Sequence, residues 1–535
     1  LKLRIVSYAI NGRGVGHLMR QLAILRWIRR LTAVMNISAE LWVLTSSEAD
    51  TLARREGVPA LKMPSKAMVK DAGTSPIRYL KIAKNWVLQS ITALDPDILL
   101  VDTFPSGSFG ELLGVLELVE TKILIARRVR PEFSQESHYK NILSLYTHII
   151  CPDDSDVGPI MIRERAELLT RQDARQTLGA VDDRKLLYLS VGGGGDVQAN
   201  QLLPKMITQI HKEFPNEYHI VVGAGPLYQG REIRGANITW LSRYVGMELM
   251  RGFDIAISAG GYNSYHELMH AGVPTIFLPL PRIADDQHER VQRAHKAQAG
   301  RAAKSWQEAI SLLKTPSLSV AACSKLVPNN GARNAAISIL STRIPKEKVE
   351  QAAAIYTPEN ISIMRKFGDH AESLELLRLF ALSPSEERIR EQVQNELKQE
   401  CDINIPKRVP HLDRVQRLLT LYSALDIELD TFIYLCQSII KKFPYASLSQ
   451  RLSAVEILFP LWNQFDDWMG ASALLRNIPT QRSLSIIPFS HMMRTWLESQ
   501  DDLFDALREF SHLENRGRKT VAEVLHHLIH GENHA

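Results

Sequence analysis

Short apolar runs alternate with stretches of helical periodicity through residues 1–170. Segments 3–9, 41–45, 98–102, 122–126 and 148–151 read as strands, and helices are predicted to begin near Gly16, Glu48, Ser75, Ser108 and Gln135. These runs are largely apolar on both sides, as strands of a parallel sheet covered on both faces are. A polar, turn-rich connection follows over 152–183, and the pattern restarts with strands expected at 186–191, 219–222, 255–258 and 275–278. Beyond about residue 345 the strand-like runs vanish. Leu374, Leu376, Leu377, Leu379 and Phe380, and later Phe432, Leu435, Ile439 and Ile440, recur at helical spacing. The expected fold class is α/β. Two Rossmann-like domains, 1–170 and 171–345, face a central cleft and are followed by an all-α domain at 346–535.

Composition narrows the class. The chain has 535 residues, 45% hydrophobic and 23% charged, so a sizeable core is expected and global disorder is not. A net charge of +5 does not call for nucleic acid; a phosphorylated substrate or an anionic membrane surface accounts for it equally well. Cys151, Cys323, Cys401 and Cys436 lie far apart without a CxxC pair, which fits a reducing compartment. No run approaches the ~18 apolar residues that a spanning helix needs. The sequence opens directly on a strand, and Leu1 in place of Met puts its start just inside the natural one. A cytoplasmic protein is expected, with peripheral membrane contact. The helix over 22–35 sets Trp27, Ile28 and Leu31 beside Arg26, Arg29 and Arg30, which suits an amphipathic core helix or one resting on a membrane.

Candidate chemistry concentrates where strands end. After the first strand comes Asn11-Gly12-Arg13-Gly14-Val15-Gly16-His17-Leu18-Met19-Arg20, in which Gly14 and Gly16 let the backbone press against a ligand. His17 opens the next helix, where an imidazole is placed for proton transfer. Arg20, one turn on, is either part of the site or a surface charge. Asp102 closes a strand at the carboxyl edge, where open sheets bind ligands. Ser190-Val191-Gly192-Gly193-Gly194-Gly195 follows the first strand of the second half, and phosphate oxygens are its natural guest. Ser258-Ala259-Gly260-Gly261-Tyr262-Asn263-Ser264-Tyr265-His266-Glu267 breaks a strand at two glycines and opens a helix with Asn263 or Ser264 near its cap. Such a helix end suits a phosphate, and Glu267 is placed to accept from ribose hydroxyls. Asp285-Asp286-Gln287-His288 begins another helix, with groups able to read sugar hydroxyls or to cap the helix. No second ligand set accompanies that cluster, so no metal or other cofactor is expected. Arg127, Arg128 and Arg130 could meet an anionic acceptor or form a solvated basic loop.

With these motifs on two α/β halves, residues 1–345 resemble the GT-B glycosyltransferases, and within them the MurG-like, family 28 type branch. The first loop is also similar to that of the nucleotide-sugar hydrolase of pseudaminic acid biosynthesis. The resemblance implies a nucleotide diphosphate sugar bound mostly by the second half and an acceptor held mostly by the first. It implies that His17 is the base or an acceptor-side polar group, and that Ser190, Gly192, Gly193 and Gly194 hold the diphosphate. Gly260, Gly261 and Ser264 then form a second phosphate-facing turn, Glu267 binds ribose, and Asp286 and Gln287 contact the donor sugar. Two departures stand out. Asp-Asp-Gln-His replaces a familiar Gln-Gln pair, and the Gly-His loop is not the branch's own, which leaves sugar and acceptor open.

Three functions follow as expectations. The first is transfer of a hexose, GlcNAc-type, from a UDP-linked donor to an acceptor hydroxyl, lipid-linked or on a glycan. The second is hydrolysis of a nucleotide sugar. The third is a non-catalytic scaffold whose helical tail mediates oligomerisation or partner binding.

Overall fold

The computed structural model describes residues 2–10, 14–128, 137–152, 157–180, 183–192, 197–241, 246–280, 287–314, 318–364 and 386–401, with 415, 418, 419 and 438. The chain forms two compact units, Leu1–Arg365 and Lys366–Ala535. In the second unit the helix Glu386–Glu400 is described. The apolar positions noted around Leu374 and Phe432 lie outside the described residues.

Two six-stranded parallel sheets build the first unit. The first contains β1 (Lys2–Ala9), β2 (Ser38–Thr45), β3 (Ala60–Lys62), β4 (Ile98–Asp102), β5 (Thr121–Ile125) and β6 (His148–Ile150), in the order β3-β2-β1-β4-β5-β6. The second contains β7 (Lys185–Ser190), β8 (Tyr218–Val222), β9 (Ile238–Trp240), β10 (Ile255–Ser258), β11 (Thr275–Phe277) and β12 (Gly300–Ala302), in the order β12-β11-β10-β7-β8-β9. Each sheet is a Rossmann-like arrangement whose order reverses between two central strands, β1 and β4 in one and β7 and β10 in the other. Crevices at such reversals are where open α/β sheets hold ligands. The two-Rossmann fold expected from the sequence is the one observed.

The core explains why the strand runs are so apolar. Val6, Tyr8, Leu99, Val101 and Leu124 pack against Val87 and Ile91 of the helix Pro76–Leu94. In the second sheet Leu187, Leu189, Ile220, Val222 and Ile257 meet Leu203, Met206, Ile207 and Ile210 of the helix Val197–Glu213. The helix expected near Ser108 is not one. That stretch is a series of turns ending in a short 3-10 turn, Leu116–Leu118, because Glu111 turns back to accept from the Ser108 and Phe109 amides.

Helix α1 (Gly16–Val34) is buried on nearly every side. Two helices that follow the second sheet, Ala332–Leu340 and Lys346–Ala354, return to pack on it. Its Trp27, Ile28 and Leu31 are buried, so a membrane-resting role for this helix is ruled out. Arg26 and Arg30 are buried too, and they hold the connection between the sheets. Glu167 Oε1 accepts from Arg26 Nη2 at 2.7 Å and from Arg30 Nη2 at 2.6 Å. Trp27 Nε1 donates to Glu164 Oε1 at 2.9 Å, and Tyr356 Oη donates to the Arg30 carbonyl at 2.8 Å. Arg165 ties the same connection to the second lobe through the carbonyls of His270 and Val327.

Burial, and then the neighbouring Glu167 carboxylate, push the Glu164 carboxyl up to about 7. A carboxyl raised above its unfolded value holds a proton that the unfolded chain has lost. Stability from this group is therefore complete at acid pH and is lost as pH rises toward 7. Glu164→Gln keeps the acceptor for Trp27, so its melting temperature should fall by a few degrees less than the wild type's between pH 5 and pH 8. Melting curves across that range check this.

Candidate active site

Helix α1 starts without a side-chain cap, since its N-cap Val15 offers none. A helix start of this kind turns its first backbone amides toward the loop that precedes it. His17 is the second residue of that turn, and its Nδ1 lies 2.6 Å from Asp102 Oδ1 at the end of β4. Arg20, one turn further on the same face, donates to both Asp102 oxygens, Nε to Oδ2 at 2.8 Å and Nη2 to Oδ1 at 2.7 Å. Gln21 Nε2 adds a contact at 3.3 Å and is itself held by Ser7 Oγ on β1. Burial alone would raise the Asp102 carboxyl; the Arg20 guanidinium and His17 outweigh it and hold the group far below the carboxylate range. Burial lowers the His17 imidazole, and Asp102 opposes the shift. Asp102 therefore stays ionised and fixes the ring with Nδ1–H toward it. In that tautomer Nε2 is the basic nitrogen of the ring.

In the second lobe the reversal brings both glycine turns together. Ser190 ends β7 directly opposite Ser258 of β10, and the Ala259 amide donates to the Ser190 carbonyl at 3.1 Å. The next helix, α2 in the site (Tyr262–Ala271), has Gly261 as its N-cap, so Asn263 and Ser264 lie inside the first turn rather than at the cap. Again no side chain caps it. Gly260 has no room for a side chain, because a Cβ there would meet Val291 Cγ2 at 2.6 Å. Gln287 packs on the same turn, with Nε2 4.0 Å from a Cβ placed on Gly261 and Oε1 accepting from the Leu280 amide. Glu267 is buried one turn deeper. Tyr188 lies within its field. Burial first, with Glu267 adding, pushes that hydroxyl up to about 12 against a hydrogen bond from Ser190.

The two helix starts meet between the lobes. A Cβ on Gly16 would lie 3.9 Å from Asn263 Oδ1. The Tyr262 ring sits among three guanidinium groups, Arg20 and Arg127 from the first lobe and Arg290 from the second, at 4.9, 5.7 and 5.5 Å from its centroid. Arg290 also donates to the Gly260 carbonyl at 2.5 Å. Two uncapped helix starts amid three cations make a local environment for a polyanion.

Of the residues singled out from sequence, His17, Asp102, Gly14 and Gly16 gather at the first reversal. Ser190, Gly192, Gly260, Gly261, Ser264, Glu267 and Gln287 belong to the second lobe's turns and the helices they open. Gly193, Gly194 and Asp286 lie outside the described residues. Arg20 is a buried partner of Asp102 rather than a surface charge. Its three-residue spacing from His17 was the available signal. Thr103, Tyr262 and Arg290 were not singled out from sequence.

Residues 187–319 match the Glycosyltransferase family 28 C-terminal domain. The chain resembles the MurG-like GT-B glycosyltransferases. One similar protein is the UDP-N-acetylglucosamine--N-acetylmuramyl-(pentapeptide) pyrophosphoryl-undecaprenol N-acetylglucosamine transferase of Aquifex aeolicus. It is 26% identical over 144 residues, 26% of this chain and 41% of the relative. Its Flavobacterium psychrophilum namesake is 26% identical over 210 residues, 35% of this chain and 55% of the relative. The chain thus spans about half the length of the curated relatives it matches. Among solved structures, MurG of Acinetobacter baumannii aligns over 64% of this chain and 100% of its own, with 17% identity and a TM-score of 0.42. The family 28 match runs from within β7 through β12 and includes Ser190, Gly192, the Gly260–Gly261 turn, Glu267 and Gln287.

Proposed function

We propose that this protein transfers a hexose, of the GlcNAc type, from a UDP-linked donor to an acceptor hydroxyl, with His17 as the base. The observation that carries the reading is the meeting of the two uncapped helix starts, one bearing the His17–Asp102 pair and the other the family 28 glycine turn. The donor's diphosphate rests on the Gly260–Gly261 turn and the amides that follow, Glu267 receives the ribose hydroxyls, and Gln287 with Asp286 meets the hexose. The acceptor hydroxyl lies at His17 Nε2, which takes its proton as the oxygen attacks the anomeric carbon. The departing diphosphate is stabilised by amides, the helix end and the cations around Tyr262, without a metal.

The test is donor consumption with purified protein and UDP-GlcNAc, in the presence and absence of a hydroxyl acceptor, with products resolved by mass spectrometry. A glycosylated acceptor supports transfer. Free sugar released at an acceptor-independent rate supports the hydrolase reading, and absence of nucleotide binding supports the scaffold. Within the transferase reading, the pH profile of kcat/KM should fall on the acid side with an inflection below ~6.5, the ordinary histidine value. Burial depresses the His17 imidazole, and only its neutral form accepts a proton. An inflection above that value would count against His17.

The relatives' names specify a lipid-linked acceptor, and one surface supports peripheral membrane contact here. Met68, Ile77, Ile82 and Leu88 are exposed, with exposed Lys66, Lys70, Lys81 and Lys84 among them. Apolar side chains flanked by lysines suit an anionic bilayer. The pair Ile77→Asp and Ile82→Asp should lower co-sedimentation with phosphatidylglycerol vesicles several-fold and leave nucleotide affinity intact. Unchanged sedimentation would remove this face from the account.

A further inference from the structure

Thr103, the residue after Asp102, has φ +63°. That backbone region is uncommon for any side chain and a genuine outlier for a β-branched one. The Phe104 amide donates to the Asp102 carbonyl at 2.6 Å across it, so residues 102–104 form the rare, strained kind of γ-turn. Thr103 is fully buried. Its hydroxyl donates to Asp102 Oδ1 at 2.7 Å and accepts from Arg20 Nη2 at 3.4 Å, while its amide donates to the Ile125 carbonyl of β5 at 2.9 Å.

Strain of this kind persists only where the surroundings over-determine it. Here they do. The Gly107 amide bonds the Phe104 carbonyl, Tyr146 Oη bonds the Pro105 carbonyl, and the Glu111 carboxylate gathers Tyr8 Oη with the Ser108 and Phe109 amides. The turn has two consequences at the site. It points the Phe104 ring at His17, with centroids 5.4 Å apart, and it sets the Thr103 hydroxyl on the oxygen of Asp102 that also faces His17.

We propose that Thr103 is a positioning residue, whose strained turn holds Asp102 and Phe104 against His17 so that the imidazole keeps one orientation. The inference rests on His17 acting as the base in the proposed transfer. Three variants separate its parts. Thr103→Ser keeps the hydroxyl and should retain turnover close to wild type. Thr103→Ala removes the hydroxyl but still disfavours positive φ. Thr103→Gly removes both the hydroxyl and the side chain's restriction on the backbone, so residues 102–104 sample further conformations, and it should lose about 100-fold in kcat, the scale of a misplaced reacting group. Ala and Gly should then rank in opposite directions. The glycine variant melts higher than the alanine variant, since positive φ suits glycine, yet turns over more slowly.

A substrate-free readout keeps this distinct from the transferase reading. The histidine Cε1–H NMR titration, with the His17 signal assigned from His17→Gln, should move toward the ordinary histidine midpoint in Thr103→Gly and stay put in Thr103→Ser. A glycine variant that melts below the alanine variant, or an unmoved His17 titration, overturns the proposal. An NMR shift in protein that shows no transfer overturns the transferase reading instead.

Discussion

Replacing His17 with alanine should cut kcat by about 10²–10⁴-fold, the usual worth of a positioned general base. Donor affinity should stay near wild type, because the imidazole projects from the first lobe while the glycine turns assigned to the donor lie in the second. Asp102 makes the expectation sharper. It is ionised, buried and bound by Arg20, so it holds the ring without taking the proton itself. Asp102→Asn should reproduce most of the loss, since an amide nitrogen turned toward Nδ1 favours the wrong tautomer. Single-turnover rates with saturating UDP-sugar, alongside calorimetric titration of UDP, separate chemistry from binding. Equal rates for wild type and His17→Ala would dismiss the base.

Glu167→Ala should be the most damaging single change to stability, costing about 3–5 kcal/mol, as breaking a buried ion pair from one side does. The carboxylate is almost fully buried and serves Arg26 and Arg30 at once. It also receives the Glu164 amide at 2.7 Å. Arg26 keeps Glu56 at 3.5 Å and Arg30 keeps a place over the Trp27 ring, so the loss is large without being total. The same network joins the interlobe connection to the helix that carries His17. Its loss should therefore lower kcat as well as melting temperature. Denaturant titration and thermal melts read the first effect; a stability change within about 1 kcal/mol would contradict the account.

The legible part of the fold was the part whose neighbours are all apolar. The central strands β4 and β10 fall where the sequence places them, because a strand covered on both faces leaves an unbroken apolar run. β3, β9 and β12 escaped notice. Each is three residues long at a sheet edge, half covered, with no run to detect. Edge strand β6 is equally short, yet it falls within the predicted 148–151. At the site, glycines mark places where the backbone approaches something, and His17 and Asp102 stand at strand and helix ends. The burial of Arg20 was a question of packing that spacing alone left open. Thr103 had no signal at all, since a strained turn is imposed by its surroundings rather than by its own side chain. The three cations around Tyr262 come from three distant stretches of chain, and only the folded arrangement unites them.

The central claim concerns where a diphosphate sits. The full chain crystallised with UDP should show the β-phosphate on the amides following Gly260 and Gly261, with Glu267 at the ribose and His17 across the gap. UDP bound elsewhere, or no UDP at these turns at saturating nucleotide, would contradict it.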